Sequence, residues 1–260
     1  MCRWLTYVGE RIFLDNLLYH PEHSLVRQSL HSDRGTVSTN GDGYGIGWYG
    51  EREVPGTYHE VRPAWNDRNL RNLSNQIASS LFCAHVRASS GTETSRTNCH
   101  PFTHRQWLFI HNGEIGGYTH VRRALEAMIP DELYEHRRGT TDSEAFFLLL
   151  LANGVDRDPV AATEKTVADV LGAMRDHGVT EPFRMTSTLT DGRTVYALRY
   201  SDNDDPPSLY WWPRAERLII VSEPLDEVAS HWREVPASSM LVSVGHGDTE
   251  VRPFTVGHAA

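Results

Sequence analysis

The chain opens on period-two alternation. Trp4, Thr6 and Val8 alternate with Arg3, Leu5 and Tyr7, so Cys2 to Val8 is predicted as a strand with two different faces. A loop rich in His, Ser and Asp follows. Asn40-Gly41-Asp42-Gly43 then turns the chain into a strand from Tyr44 to Tyr49, with Thr57 to Arg62 as its hairpin partner. Gly43, Gly45 and Gly47 fall on one face of that strand, and three positions without side chains imply close approach by another backbone or a ligand. Asn69 to Ala78 is predicted as a helix and Leu81 to Arg87 as an apolar strand ending on a charge. Trp107 to His111 is a further strand, with His111-Asn112-Gly113 as its sharp exit, and Thr119 to Met128 a helix. Ala145 to Ala152 is an apolar helix capped by the polar run Thr141-Asp142-Ser143-Glu144. Asp158 to His177 has helical periodicity, with Val160, Val167, Val170, Leu171 and Met174 on one side and Gly178 closing it. Four strands follow, Phe183 to Leu189, Arg193 to Tyr200, Ser208 to Trp212 and Arg217 to Val221, the first two joined by an Asp191-Gly192 turn. Without repeats or long linkers, the pattern gives one α+β domain over residues 1–260.

Composition narrows the function. A chain of 260 residues with 39% hydrophobic and 23% charged positions can bury one large core. Its net charge of −9 argues against binding the phosphate backbone of a nucleic acid. The longest apolar run, Ala145 to Ala152, is far short of the ~20 residues that cross a bilayer. Arg3, Glu10, Arg11 and Asp15 interrupt any signal-like stretch at the N-terminus. Three widely spaced cysteines make no disulfide framework, so a reducing cytoplasm is the expected compartment.

Cys2 changes the picture most. Met1 is trimmed when the second residue is small, which would leave a thiol and a free α-amino group on one residue. The thiol titrates near 8.5 and the amine near 7.7–8.0, about right for the amine to take the thiol proton. Retention of Met1 would acylate that amine and remove the base. Three other features bear on it. Arg87 is delivered by a strand into the small polar loop Ala88-Ser89-Ser90-Gly91, and arginine suits bidentate recognition of a carboxylate. The Asn112 amide and the Gly113 N–H can converge on one oxyanion. Asp142 stands at a helix start. Taken singly, these are also a frayed terminus, a surface ion pair, an ordinary turn and a helix cap.

Taken together, Cys2, Arg87, Asn98-Cys99-His100-Pro101, His111-Asn112-Gly113 and Thr141-Asp142 resemble the class II glutamine amidotransferase domain in order and spacing. That family belongs to the N-terminal nucleophile hydrolases and implies a four-layer α-β-β-α sandwich with two antiparallel sheets. Asp42-Gly43-Tyr44-Gly45-Ile46-Gly47-Trp48-Tyr49 is most similar to stand-alone members, such as the ergothioneine-pathway amidohydrolase and the fungal glutathione-degrading amidotransferase-like subunit. The resemblance implies that Cys2 attacks a γ-glutamyl amide and forms a thioester. Asn112 and Gly113 would hold the oxyanion, Arg87 the substrate α-carboxylate with Ser89 or Ser90 adding a hydroxyl, and Asp142 the α-ammonium. His100 would line the site. Where many members have Trp after the arginine and Thr two residues further, this chain has Ala88 and Ser90, which implies more room beside the glutamyl group.

Other chemistries fit less well. His20 and His23 lack a third ligand at useful spacing, so no metal is expected. The glycines from 41 to 47 lack the Lys-Ser/Thr helix of a phosphate loop. Cys83 is expected to be a buried thiol and Cys99 a spectator. No cofactor is implied. Two alternatives stay open: a glutaminase subunit delivering ammonia to a separate synthase, and a non-catalytic glutamyl-binding regulatory subunit; a synthase or a peptidase is the possible partner protein.

Overall fold

The computed structural model describes residues 2–33, 38–89, 91–214, 216–245 and 247–256. Met1 and Ser90 lie outside them. The first half runs β1 (Arg3–Phe13), α1 (Asp15–Leu18), α2 (Leu25–Leu30), β2 (Tyr44–Trp48), β3 (Gly56–Glu60), α3 (Arg68–Ser74), β4 (Ala78–Val86), β5 (Phe102–His104) and β6 (Trp107–Glu114). Helices α4 (Tyr118–Glu126), α5 (Asp131–Tyr134), α6 (Asp142–Ala152) and α7 (Pro159–Asp176) come next. The chain ends in β7 (Arg184–Thr190), β8 (Thr194–Ser201), β9 (Tyr210–Arg214), β10 (Arg217–Val221), β11 (Arg233–Glu234), β12 (Ser239–Val244) and β13 (Asp248–Pro253).

The strands form two sheets, ordered β11-β9-β10-β1-β4-β2-β3 and β13-β12-β8-β7-β6-β5. Neighbours are antiparallel throughout. The alternation read in the sequence explains the stacking. On β1, Leu5 and Tyr7 join Phe82, Ala84 and Ile219 beneath Leu17, Leu25 and Leu70 of the first three helices. Trp4 and Val8, on the opposite face, meet Leu108, Ile110, Val195, Ala197 and Leu241 of the second sheet. The far face of that sheet, with Phe109, Met185 and Leu198, is covered by Val121, Leu125, Phe146, Phe147, Val167 and Val170 of α4, α6 and α7. Each sheet buries both faces, giving the helix–sheet–sheet–helix sandwich that the resemblance implied.

The glycine face of β2 serves this stacking. A methyl group on Gly45 would fall on the His100 carbonyl oxygen, and one on Gly47 would strike Leu108 and Pro101. The close approach expected from the sequence is thus made by the chain's own backbone between the sheets.

Several bounds shift. β1 continues to Phe13, and the loop after it contains α1 and α2, too short at four and six residues to carry a periodic signal. His111-Asn112-Gly113 is not an exit: β6 runs on to Glu114, with Asn112 paired to Thr186 and Gly113 to Met185 of β7. Helix α6 begins at Asp142 and not at Ala145; Thr141 is its cap, its hydroxyl accepting the Glu144 N–H at 3.2 Å.

Candidate active site

The layer between the sheets changes character along its length. Following the inward positions of β4, apolar Leu81 and Cys83 give way to His85 and Arg87; on β6, Leu108 and Ile110 give way to Asn112. The polar end of this layer is where β1 begins, and Cys2 is there. The Cys2 thiol donates to the Ala88 carbonyl at 3.4 Å, and the Ala88 N–H points back at the sulfur from 3.3 Å. Burial pushes the thiol up from its ordinary range, while the Ala88 hydrogen bond and the positive charges of Arg87 and Arg3 oppose that shift. Arg3 fixes the start of the strand. It is 1% exposed, donates to the Cys2 carbonyl at 2.7 Å and to Glu223 at 2.7 Å in a buried ion pair.

Arg87 is 4% exposed. Its guanidinium donates to the carbonyls of Asp42 (3.3 Å) and Glu93 (3.3 Å) and to the hydroxyls of Ser89 (3.2 Å) and Thr92 (2.6 Å). All four acceptors are neutral, and among the described residues no carboxylate lies within ion-pair distance. Asp42, whose carboxylate accepts the Ser89 N–H at 2.7 Å, pins the loop instead. The Ser89 hydroxyl donates to the Thr92 carbonyl at 2.6 Å, so its proton is committed within the loop. Asn40-Gly41-Asp42-Gly43 read in the sequence only as a turn, and neither its hold on this loop nor the part of Thr92 and Glu93 was visible there.

Asn112 arrives from the second sheet. The Trp4 indole donates to the Thr186 hydroxyl at 3.2 Å, and that hydroxyl donates to the Asn112 carbonyl at 3.4 Å. These two bonds tie the first turn of β1 to the end of β6. The Asn112 amide is 1% exposed, and neither of its polar atoms has a partner among the described residues. Gly113 has φ +148°, and a methyl group there would fall on the Arg184 carbonyl oxygen, so only glycine permits this pairing. Asp142 joins the same strand end: its carboxylate accepts the Ile115 N–H at 2.9 Å and the Ser143 N–H at 2.8 Å. His111 faces the helices and bonds the Ser143 hydroxyl through Nδ1 at 2.8 Å.

His100 is brought to the site's interior, not to its mouth. Its ring is 5% exposed and lies 4.4 Å from the His85 ring, centroid to centroid. Cys99 faces away, donating to the carbonyls of Ser95 (3.4 Å) and Glu60 (3.7 Å). Cys83 is buried and accepts from Thr6. A separate cleft of about 550 Å³ is lined by Asp33, Glu223, Asp226, Glu227 and Glu234, and Glu223 of its wall is the partner of Arg3. The arrangement thus gathers around one end of the sheet stack a thiol, a carboxylate, and a guanidinium and an amide that lack, among the described residues, a counter-charge and a partner respectively. Ser90 is outside the described residues.

The family model for class II glutamine amidotransferases matches residues 20–205, a span that holds Arg87, Asn112, Gly113 and Asp142 but not Cys2. The chain is 33% identical to a probable glutamine amidotransferase of Saccharomyces cerevisiae, over 93% of this chain and 81% of that one. It is 26% identical to the gamma-glutamyl-hercynylcysteine sulfoxide hydrolase of Mycobacterium tuberculosis, over 96% and 95%. A solved glutamine aminotransferase class-II domain protein from Silicibacter pomeroyi superposes with a TM-score of 0.76 at 35% identity, over 97% and 99%. Glutamine phosphoribosylpyrophosphate amidotransferase from Bacillus subtilis, at 14% identity and a TM-score of 0.69, covers 98% of this chain and 50% of its own, a likeness of fold alone.

Proposed function

The chain belongs to the class II glutamine amidotransferases, and from that premise we propose that it is an amidohydrolase cleaving a γ-glutamyl amide through a Cys2 thioester. The observation that carries the reading is the pairing of Cys2 with Arg87. The thiol is bonded to the residue next to a buried guanidinium that lacks a carboxylate among the described residues. A substrate with a free α-carboxylate supplies the missing charge and sets its γ-carbonyl at the sulfur.

In this mechanism Met1 is removed and the Cys2 α-amine takes the thiol proton. Sulfur attacks the γ-carbonyl, and the developing oxyanion is held by the Asn112 amide, free for the purpose, and the Gly113 N–H. One such donor contributes about 3–4 kcal/mol. Asp142 receives the α-ammonium; a carboxylate offers about four acceptor sites, so its two backbone bonds and the Ser143 hydroxyl leave one. The amine returns its proton to the departing group, and water then hydrolyses the thioester. Ser89 acts through Arg87 by fixing the guanidinium; Ser90, a substrate-binding candidate from the sequence, lies outside the described residues. His100 lines the site from behind and takes no part in these steps.

Hydrolysis outright is favoured over ammonia delivery by the near full-length match to a relative named as a γ-glutamyl hydrolase. Residues 1–260 act as one domain on a small-molecule substrate in this reading. The three free thiols suit the reducing cytoplasm. The test is to incubate the protein with glutamine, glutathione and other γ-glutamyl amides and assay glutamate and ammonia. Cys2→Ala is expected to abolish glutamate release while the fold survives; undiminished turnover in that variant sinks the mechanism. Release from glutamine alone, stimulated by a second protein, would favour ammonia delivery.

A further inference from the structure

Deeper than Cys2 along the same inner face lie two imidazoles that the proposed mechanism leaves unused. His85 stands two residues before Arg87 on β4, opposite Trp4 of β1 and Gly45 of β2. Because Gly45 has no side chain, the His100 backbone packs directly on the face of β2 and its ring lies against His85. Both rings are buried, at 0% and 5% exposed. Among the described residues neither Nδ1 nor Nε2 of either ring has a hydrogen-bond partner, and buried Thr188 Oγ1 and both Asn112 amide atoms share that state.

Burial keeps these rings neutral, pushing His85 down to about 3 and His100 well below the ordinary 6.5. A neutral imidazole has one nitrogen that donates and one that accepts. The pair therefore demands donors and acceptors in equal number within one small space, and each group left bare would cost about 1–3 kcal/mol. Water meets both demands at once, and a buried water typically makes about three hydrogen bonds to such groups. A metal ion is the rival occupant, but no cluster of three His, Cys, Asp or Glu suited to one occurs among the described residues. The register places His85 diagonally from Cys2 across β1 and β4, a separation of about 7–8 Å between residue positions, with the two side chains on the same inner face.

We propose that His85 and His100 are positioning residues that hold internal water behind Cys2, and that this water is the nucleophile that hydrolyses the thioester. The inference rests on the amidohydrolase reading. The water oxygen bonds to the thioester carbonyl carbon, and the C–S bond breaks with its electron pair leaving on sulfur. One water proton passes through the α-amine to the thiolate, the other is released with the γ-carboxylate, and glutamate departs.

The test is partition of the acyl-enzyme between water and added hydroxylamine, which enters from solvent. His85→Phe keeps a ring and removes both nitrogens; His85→Asn keeps a donor and an acceptor. In His85→Phe the ratio of glutamyl hydroxamate to glutamate is expected to rise about tenfold or more, with thioester accumulating and release of the first product changed by less than about threefold. His85→Asn is expected to return the ratio to within about threefold of the original protein. An unchanged ratio in His85→Phe, or equal slowing of acylation and deacylation, overturns the inference alone. Absence of any thioester in the unmodified protein overturns it together with the amidohydrolase reading. Independently of folding in the Phe variant, a crystal structure of Cys2→Ala is expected to show ordered water about 2.7–3.2 Å from a ring nitrogen of His85 or His100. A dry pair, or an anomalous signal from a metal there, refutes it.

Discussion

Replacing Arg87 by Met removes a buried positive charge that no carboxylate answers among the described residues, and the consequences for folding and for catalysis should separate. In the folded protein the guanidinium makes four hydrogen bonds, all to neutral oxygens. Bonds to a charged donor contribute about 1.5–3 kcal/mol each. Against them stands the desolvation of an ion held at 4% exposure, a penalty of several kcal/mol. The two oppose each other, so Arg87→Met is expected to lower the unfolding free energy by only about 1–3 kcal/mol. Catalysis has no such compensation. Leaving a substrate α-carboxylate buried and unpaired costs about 2–5 kcal/mol, or roughly 30- to 4,000-fold in kcat/KM. The assay is glutamate release from γ-glutamyl substrate beside urea unfolding of the same preparation. A substrate analogue lacking the α-carboxylate closes the cycle: the original protein is expected to lose the same factor on that analogue, and Arg87→Met to lose nothing further. A kcat/KM within about threefold of the original, or an equal effect on both substrates, would refute carboxylate recognition by Arg87.

Asn112→Ala is expected to lower kcat by about 10²–10³ with little change in KM, and to leave stability within about 1 kcal/mol because its amide bonds nothing among the described residues; steady-state kinetics and urea melts check both. Gly45→Ala is expected to lower the urea midpoint by about 1–3 kcal/mol equivalent, since the new methyl would fall on the His100 carbonyl, whereas Gly50→Ala, which meets open space, is the neutral control. Stability is expected to fall in acid. His85, His100 and His111 are all held below their ordinary 6.5 by burial, so below that pH the unfolded chain takes up protons that the folded chain refuses. His85 and His100 each remove about 1.4 kcal/mol per pH unit from about pH 6.5 downward, for His85 until about pH 3, and His111 acts in the same direction. A flat unfolding free energy between about pH 6.5 and 4.5 would contradict that burial.

What the sequence could show depended on how local the cause was. The β1 alternation, the α7 stripe and the Asp191-Gly192 turn are written in neighbouring residues, and each was placed to within a few positions. The β2 glycines told correctly that a backbone comes close, but not that it belongs to His100, because that contact joins residues far apart in the chain. The end of β6 was misjudged for the same reason: Asn-Gly favours a turn locally, and pairing with β7 overrides it. Cys2, Arg87, Asn112 and Asp142 stood out through their chemistry and spacing. The Arg3–Glu223 ion pair, the Trp4–Thr186 bond and the His85–His100 stack did not, since each forms only when the sheets assemble.

The central claim, that Cys2 becomes an N-terminal nucleophile acylated by a γ-glutamyl group, is tested most directly by intact-protein mass spectrometry after acid quench during turnover. The expected result is a chain that begins at Cys2 and carries one added glutamyl group, which hydroxylamine removes and which Cys2→Ala never acquires. Turnover by a chain that keeps Met1, or glutamate release with no adduct and undiminished in Cys2→Ala, would contradict it.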